Sequence, residues 1–179
     1  MNHPVYQALW LMLPVVVAGA LHMAVVKCDA LPRLKVPIHA ALFGANKTWR
    51  GFVVMPVACL VGLLVSHHAQ GIVLGMSLFD DVSLLGLGVL LGWGYCLGEL
   101  PNSYVKRRLG IPPGKSVPSY RALTLFTDHL DSLLGCLAVY ALLLDAPLAV
   151  FLWILLLGPL VHITVNLALY AAGLRREAF

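Results

Sequence analysis

Charge is scarce in this chain. Asp, Glu, Lys and Arg together make up 11% of its 179 residues, against about 25% in a soluble domain. Apolar residues reach 60% and the mean hydropathy is +0.89. This balance excludes an ordinary soluble fold, a disordered tail and a nucleic-acid-binding module, although the net charge is +4 and the isoelectric point lies near 9.0. Cysteine is sparse as well. Cys28, Cys59, Cys96 and Cys136 show no C-x-x-C spacing and read as small packing residues rather than disulfides or zinc ligands. No basic residue precedes the first apolar run, and that run is longer than the roughly 7–15 apolar residues of a secretory signal, so a cleaved leader is not expected. A P-loop is missing too. Gly114-Lys115-Ser116 resembles the end of one, but Leu109 stands where its first glycine belongs, Pro112-Pro113 precludes the loop, and no strand precedes it.

What the chain does have is long apolar runs. A helix crosses the hydrocarbon layer with about 20 apolar residues. Spans are predicted at about 5–26, 49–66, 82–100, 125–144 and 148–174, with loops at 27–48 and 101–124. The second is the weakest, because it contains Pro56 and its continuation through His67, His68 and Gln70 is too polar for unsheltered lipid. A closed barrel is disfavoured, since 146–157 shows no alternation of apolar and polar residues. The expected fold is therefore an all-α integral membrane protein, a single five-transmembrane-helix bundle. Of the 12 lysines and arginines, 11 fall in the two loops and the C-terminal tail, and Arg50 stands at the first-loop end of the second span. The other side carries only Asp80, Asp81, Asp145 and histidines. The positive-inside rule then puts the N-terminus outside, the C-terminus in the cytoplasm and both loops in the cytoplasm. The third span holds Gly86, Gly88, Gly92, Gly94 and Gly98, so neighbouring helices are expected to approach it closely.

Three acidic residues fall where spans meet the basic side: Glu99 at the end of the third, Asp128 and Asp131 at the start of the fourth. The aspartates are three apart and share a helix face. A divalent cation between them would relieve their repulsion; the plain alternative is an N-cap by Thr127 or Asp128, with Asp131 favoured by the helix dipole. Lys106-Arg107-Arg108 and Lys115 lie just upstream. Carboxylates beside cations suit a metal–triphosphate, with oxygen ligands for Mg²⁺ and ammonium or guanidinium groups for phosphate. The first loop ends Gly44-Ala45-Asn46-Lys47-Thr48-Trp49-Arg50-Gly51. Lys47 and Arg50 there can hold phosphates, Asn46 and Thr48 offer neutral hydrogen bonds, and Trp49 reads as an interfacial anchor before a base-stacking platform. In the fifth span, His162 and Asn166 share a face, and with His22 they either bond a neighbouring helix or line a polar cavity.

These segments, together with Gly98-Glu99-Leu100-Pro101-Asn102-Ser103-Tyr104-Val105-Lys106-Arg107-Arg108-Leu109-Gly110, Asp128-His129-Leu130-Asp131 and the ending from Leu160-Val161-His162 through Asn166 and Tyr170 to Gly173-Leu174, resemble the CDP-archaeol synthase family. That family comprises small integral membrane cytidylyltransferases, and the likeness runs over nearly the whole chain. It implies five transmembrane helices around a charged cavity facing the cytoplasm. It also implies transfer of CMP from CTP to a membrane lipid phosphate, with Mg²⁺ required and pyrophosphate released, as a step of phospholipid biosynthesis in the cell membrane. On this chain, Asp128 and Asp131, with Glu99, would hold Mg²⁺. Lys47, Arg50, Lys106, Arg107 and Lys115 would hold phosphates, while Asn46, Thr48, Asn102 and Ser103 would make neutral contacts. Two positions depart from the family pattern: Ala45-Asn46 replaces an Asp-Gly, and His129 replaces a glutamine. The rival expectations are the same chemistry on phosphatidate, a small transporter with a cation site at its inner mouth, and a scaffold whose basic loops bind anionic lipid.

Overall fold

The structure is a computed structural model and describes residues 3–113 and 121–174. It is all-helical among these residues. Five long helices are α1 (Pro4–Lys27), α3 (Trp49–Leu74), α4 (Leu84–Arg108), α5 (Arg121–Leu143) and α6 (Leu148–Ala171), with a single turn, α2 (Ala40–Phe43), in the first loop. Packing follows a closed circuit, α1 to α3 to α4 to α5 to α6 and back to α1, and α2 rests on α4. Among the described residues four helices, α1, α3, α4 and α6, are long and apolar enough to cross a membrane, and α5 adds a shorter apolar stretch, Leu130–Leu143.

Small residues set the spacing of the circuit. On α4, a Cβ at Gly92 would lie 2.3 Å from the Pro56 nitrogen of α3, and one at Gly98 would lie 2.4 Å from the Asp131 carbonyl oxygen of α5. Gly88 and Gly92 thus admit α3, whereas Gly94 and Gly98 admit α5. The two glycine pairs of the third span serve two different neighbours.

Prolines inside the helices create the polar ties. Pro14 in α1 has no N–H for the Trp10 carbonyl four residues back, and Ser66 Oγ of α3 donates to that carbonyl at 3.2 Å. Pro56 in α3 releases the Phe52 carbonyl in the same way, and Trp93 Nε1 of α4 donates to it at 3.3 Å. In hydrocarbon such a carbonyl has no water to turn to. Ser66→Ala should therefore lower stability by about 1 kcal/mol, the scale of an interhelical hydrogen bond in a membrane, as read by thermal unfolding in detergent; an unchanged midpoint would show the Trp10 carbonyl satisfied otherwise.

Several boundaries differ from the sequence expectation. The α5 helix begins at Arg121 rather than about 125, which puts Thr127 and Asp128 inside it and not at an N-cap. The α3 helix runs past residue 66 to Leu74 and ends at Gly75, whose φ of 72° is left-handed. It continues because the polar residues are satisfied inside the fold: Gln70 is fully buried, donates from Nε2 to Ser66 Oγ at 3.0 Å and accepts from the Leu78 N–H at 2.8 Å. Similarly, the loop expected over 101–124 is helical through Arg108. Pro101 does not end α4. The stop comes at Gly110 (φ 71°), where the Ile111 N–H reaches the Lys106 carbonyl and the Gly110 N–H reaches that of Arg107, with Ile111 buried beneath them.

Candidate active site

The extra turns of α4 project Asn102 and Lys106 from one face, four residues apart. Asn102 Nδ2 donates to Asp128 Oδ1 at 2.6 Å and to Asp131 Oδ2 at 2.8 Å. Lys106 forms an ion pair with Asp128, and Asp131 Oδ1 also accepts from the Ser132 N–H at 2.6 Å. The two aspartates therefore present their carboxylates to one side of α5, and a single amide bridges them.

A second group of charges forms where the first loop meets α3. The loop folds back on itself, with the Ile38 N–H on the Lys47 carbonyl at 2.9 Å and the Trp49 N–H on the Val36 carbonyl at 3.0 Å. Lys47 reaches across to α4 and pairs with Glu99; their side chains are 20% and 23% exposed. Arg50 is buried and donates from Nη1 to Asp29 Oδ1 at 2.9 Å and to the Ala30 carbonyl at 3.2 Å. Lys35 Nζ takes the same Asp29 oxygen at 3.0 Å. The bond from Lys35, then that from Arg50, holds the Asp29 carboxyl below its ordinary value of 3.8. Asp29 and Leu31 both have positive φ, 46° and 55°. Aspartate visits this conformation more readily than most residues, whereas leucine holds it only where surrounding contacts enforce it.

Between the five long helices lies a cavity of about 620 Å³. Lys35, Asn46, Lys47, Thr48, Arg50, Glu99 and Asp128 line its charged part, and His22, Tyr95, Ser132, His162 and Asn166 add polar groups. The remaining wall is apolar, including Leu11, Met12, Met55, Tyr140 and Ile154. Of the residues expected from sequence, Asn102, Ser103, Lys106, Arg107 and Asp131 do not line it. Ser103 is buried in α4. Arg107 lies against Gly44 (φ 90°), where a Cβ would come within 3.1 Å of its Nη1, and its Nε and Nη1 have no hydrogen-bond partner among the described residues. Trp49 is half exposed, packs against Phe52 and stands outside the cavity. Lys115 lies outside the described residues.

The three-carboxylate metal set is not assembled. No three Asp, Glu, His or Cys side chains among the described residues gather closely enough to hold a metal ion. Glu99 pairs with Lys47 instead. The pair itself fits a hard divalent cation, because its oxygens converge on a positively polarised donor, the Asn102 amide, and on the Lys106 ammonium. Asp29 has no role in the sequence reading. One signal was available: it is the only acidic residue within 27–48, among five basic ones if Arg50 is counted.

A closed circuit of apolar helices around a cavity charged on one side and apolar on the other defines a helical membrane protein. The whole chain, residues 1–179, matches the model of the CarS-like CDP-archaeol synthases. It is 37% identical over 136 residues to the CDP-archaeol synthase of Thermofilum pendens, covering 75% of this chain and 57% of that one. It is 36% identical over 137 residues to that of Methanosphaerula palustris, covering 75% and 79%. A solved structure described as an intramembrane enzyme for archaeal membrane lipids biosynthesis superposes with a TM-score of 0.64 at 25% identity, covering 91% of this chain and 94% of that one. The chain belongs to the CDP-archaeol synthase family and is an enzyme, a nucleotidyltransferase.

Proposed function

We propose that the protein transfers CMP from CTP to a membrane lipid phosphate, giving a CDP-activated lipid and pyrophosphate. The observation that carries this reading is the cavity, in which cations and carboxylates at one part adjoin an apolar remainder walled by all five long helices. A nucleotide triphosphate needs the first and a lipid the second. Family membership supports the same chemistry. The proposed topology has five spans, with the N-terminus outside and the C-terminus inside, so that the cavity opens to the cytoplasmic face of the cell membrane, where CTP is found.

No protein nucleophile is required. A lipid phosphate oxygen is already an anion; it bonds to the α-phosphorus of CTP as the bond to the β-phosphate oxygen breaks, and pyrophosphate leaves with that electron pair. Lys47 and Arg50 lie along the cavity wall and stabilise the charge accumulating on the phosphates. Asn46 and Thr48 supply neutral hydrogen bonds beside them. Asp128 and Asp131 would hold Mg²⁺, which when bound supplies charge neutralisation on the phosphate oxygens. Asn102 and Lys106 keep those carboxylates facing one side of α5.

The test is radiolabelled CTP offered to the purified protein with an archaetidic-type diether phosphate and a diacyl phosphate side by side. The expected result is pyrophosphate release and label in the diether lipid. Label in the diacyl lipid alone would make the acceptor phosphatidate. Label in neither, with ion flux in liposomes, would replace the enzyme reading by a transporter.

A further inference from the structure

One carboxylate oxygen in the first loop organises two cations. Asp29 Oδ1 accepts from Arg50 Nη1 at 2.9 Å and from Lys35 Nζ at 3.0 Å. Both cationic residues line the cavity, beside Lys47. Without Asp29 the Lys35 side chain, 56% exposed, would gain rotamers pointing into water and away from the cavity. The Arg50 side chain is almost fully enclosed, 7% exposed, and its guanidinium is aimed by two acceptors, Asp29 and the Ala30 carbonyl. The loop adopts left-handed conformations at Asp29 and Leu31 to present that oxygen and that carbonyl together. The antiparallel pairing of Pro37 with Thr48, held by the backbone bonds between 36–38 and 47–49, then brings Lys35 opposite Arg50.

We propose that Asp29 is the positioning residue of the anion site, holding Arg50 and Lys35 side by side on the cavity wall, and that Lys35 contacts the triphosphate of the nucleotide. This rests on the nucleotide-dependent reading above. Lys35 and Arg50 each retain donors after bonding Asp29: an ammonium has three N–H groups and a guanidinium five. Two cations sharing one carboxylate oxygen leave net positive charge toward the cavity, which suits a polyanion better than a neutral ligand. The carboxylate aims the cations without cancelling them.

The experiment uses the full chain in detergent and reads the KM for CTP, the KM for the lipid phosphate, kcat, and direct binding of inorganic triphosphate. Asp29→Leu removes the acceptor and should raise the KM for CTP about tenfold, with the lipid KM changed less than about twofold. Asp29→Asn keeps an acceptor oxygen and should restore most of the loss. Lys35→Met should match Asp29→Leu, and the double variant should be no worse than about tenfold, because the two residues act as a unit. An unchanged KM in Asp29→Leu would overturn the proposal. So would a lowered KM, which would make the carboxylate a competitor of phosphate, or an equal rise in both substrates' KM, which would make it a strut. If the wild-type chain fails to convert CTP, the functional reading falls but the anion site is still tested. Wild-type binding of inorganic triphosphate, weakened in Asp29→Leu and Lys35→Met, supports it, and binding that is absent or equal in all three overturns it.

Discussion

Replacing Asp131 by Asn should lower kcat about 1,000-fold, the scale on which one electrostatic stabiliser of a transition state is lost, with the thermal midpoint held within about 3 °C. The two halves of this result have separate physical reasons. The fold survives because an asparagine oxygen still accepts from the Ser132 N–H, which the carboxylate takes at 2.6 Å. Activity does not, because the amide brings no negative charge to offset the divalent cation that Asp131 is proposed to share with Asp128. Turnover measured over a Mg²⁺ titration should fall at every concentration. Near-normal turnover would remove Asp131 from the metal role and leave it as a partner of Asn102.

The second large effect is expected at the contact between α4 and α5. A Cβ at Gly135 would lie 2.0 Å from the Gly94 carbonyl oxygen, which is backbone and has no rotamer to yield with. Gly135→Val must drive the helices apart, and overpacking of this kind costs about 3 kcal/mol. The same displacement reaches the site. Gly98 meets the Asp131 carbonyl one helical turn away, and the Asn102 bridge to both aspartates depends on that approach. Thermal unfolding should show the loss, and whatever folded fraction remains should turn over slowly. A valine tolerated with less than about 0.5 kcal/mol would mean that the two helices stand farther apart than described.

Apolar runs and the clustering of cations made the helices and the charged side of the cavity legible in the sequence. The pairing of Asp128 with Asp131 was legible for the same reason: three residues on a helix mean one face. Partners across elements were not. Nothing in the spacing of Lys47 and Glu99, 52 residues apart, indicates that they meet, and a carboxylate without its lysine looks like a free ligand. Pro101 reads as a helix end because proline usually is one; here α4 continues and is stopped by Gly110. Residues 67–70 read as too polar for a helix in lipid because Gln70's partners, Ser66 Oγ and the Leu78 N–H, become visible only once the chain is folded. Asp29 was hidden by the opposite assumption, that a loop rich in lysine and arginine is occupied only with topology.

The carbonyls freed by Pro14 and Pro56 have a mechanical consequence. Each is matched to one donor on the adjacent helix, Ser66 for Trp10 and Trp93 for Phe52. A slip of α3 by one residue against either neighbour would strand an oxygen in oil, so this helix behaves as a keel locked at two heights. Arg50 rides on its first turn, which makes that flank of the chamber stationary while a guest comes and goes.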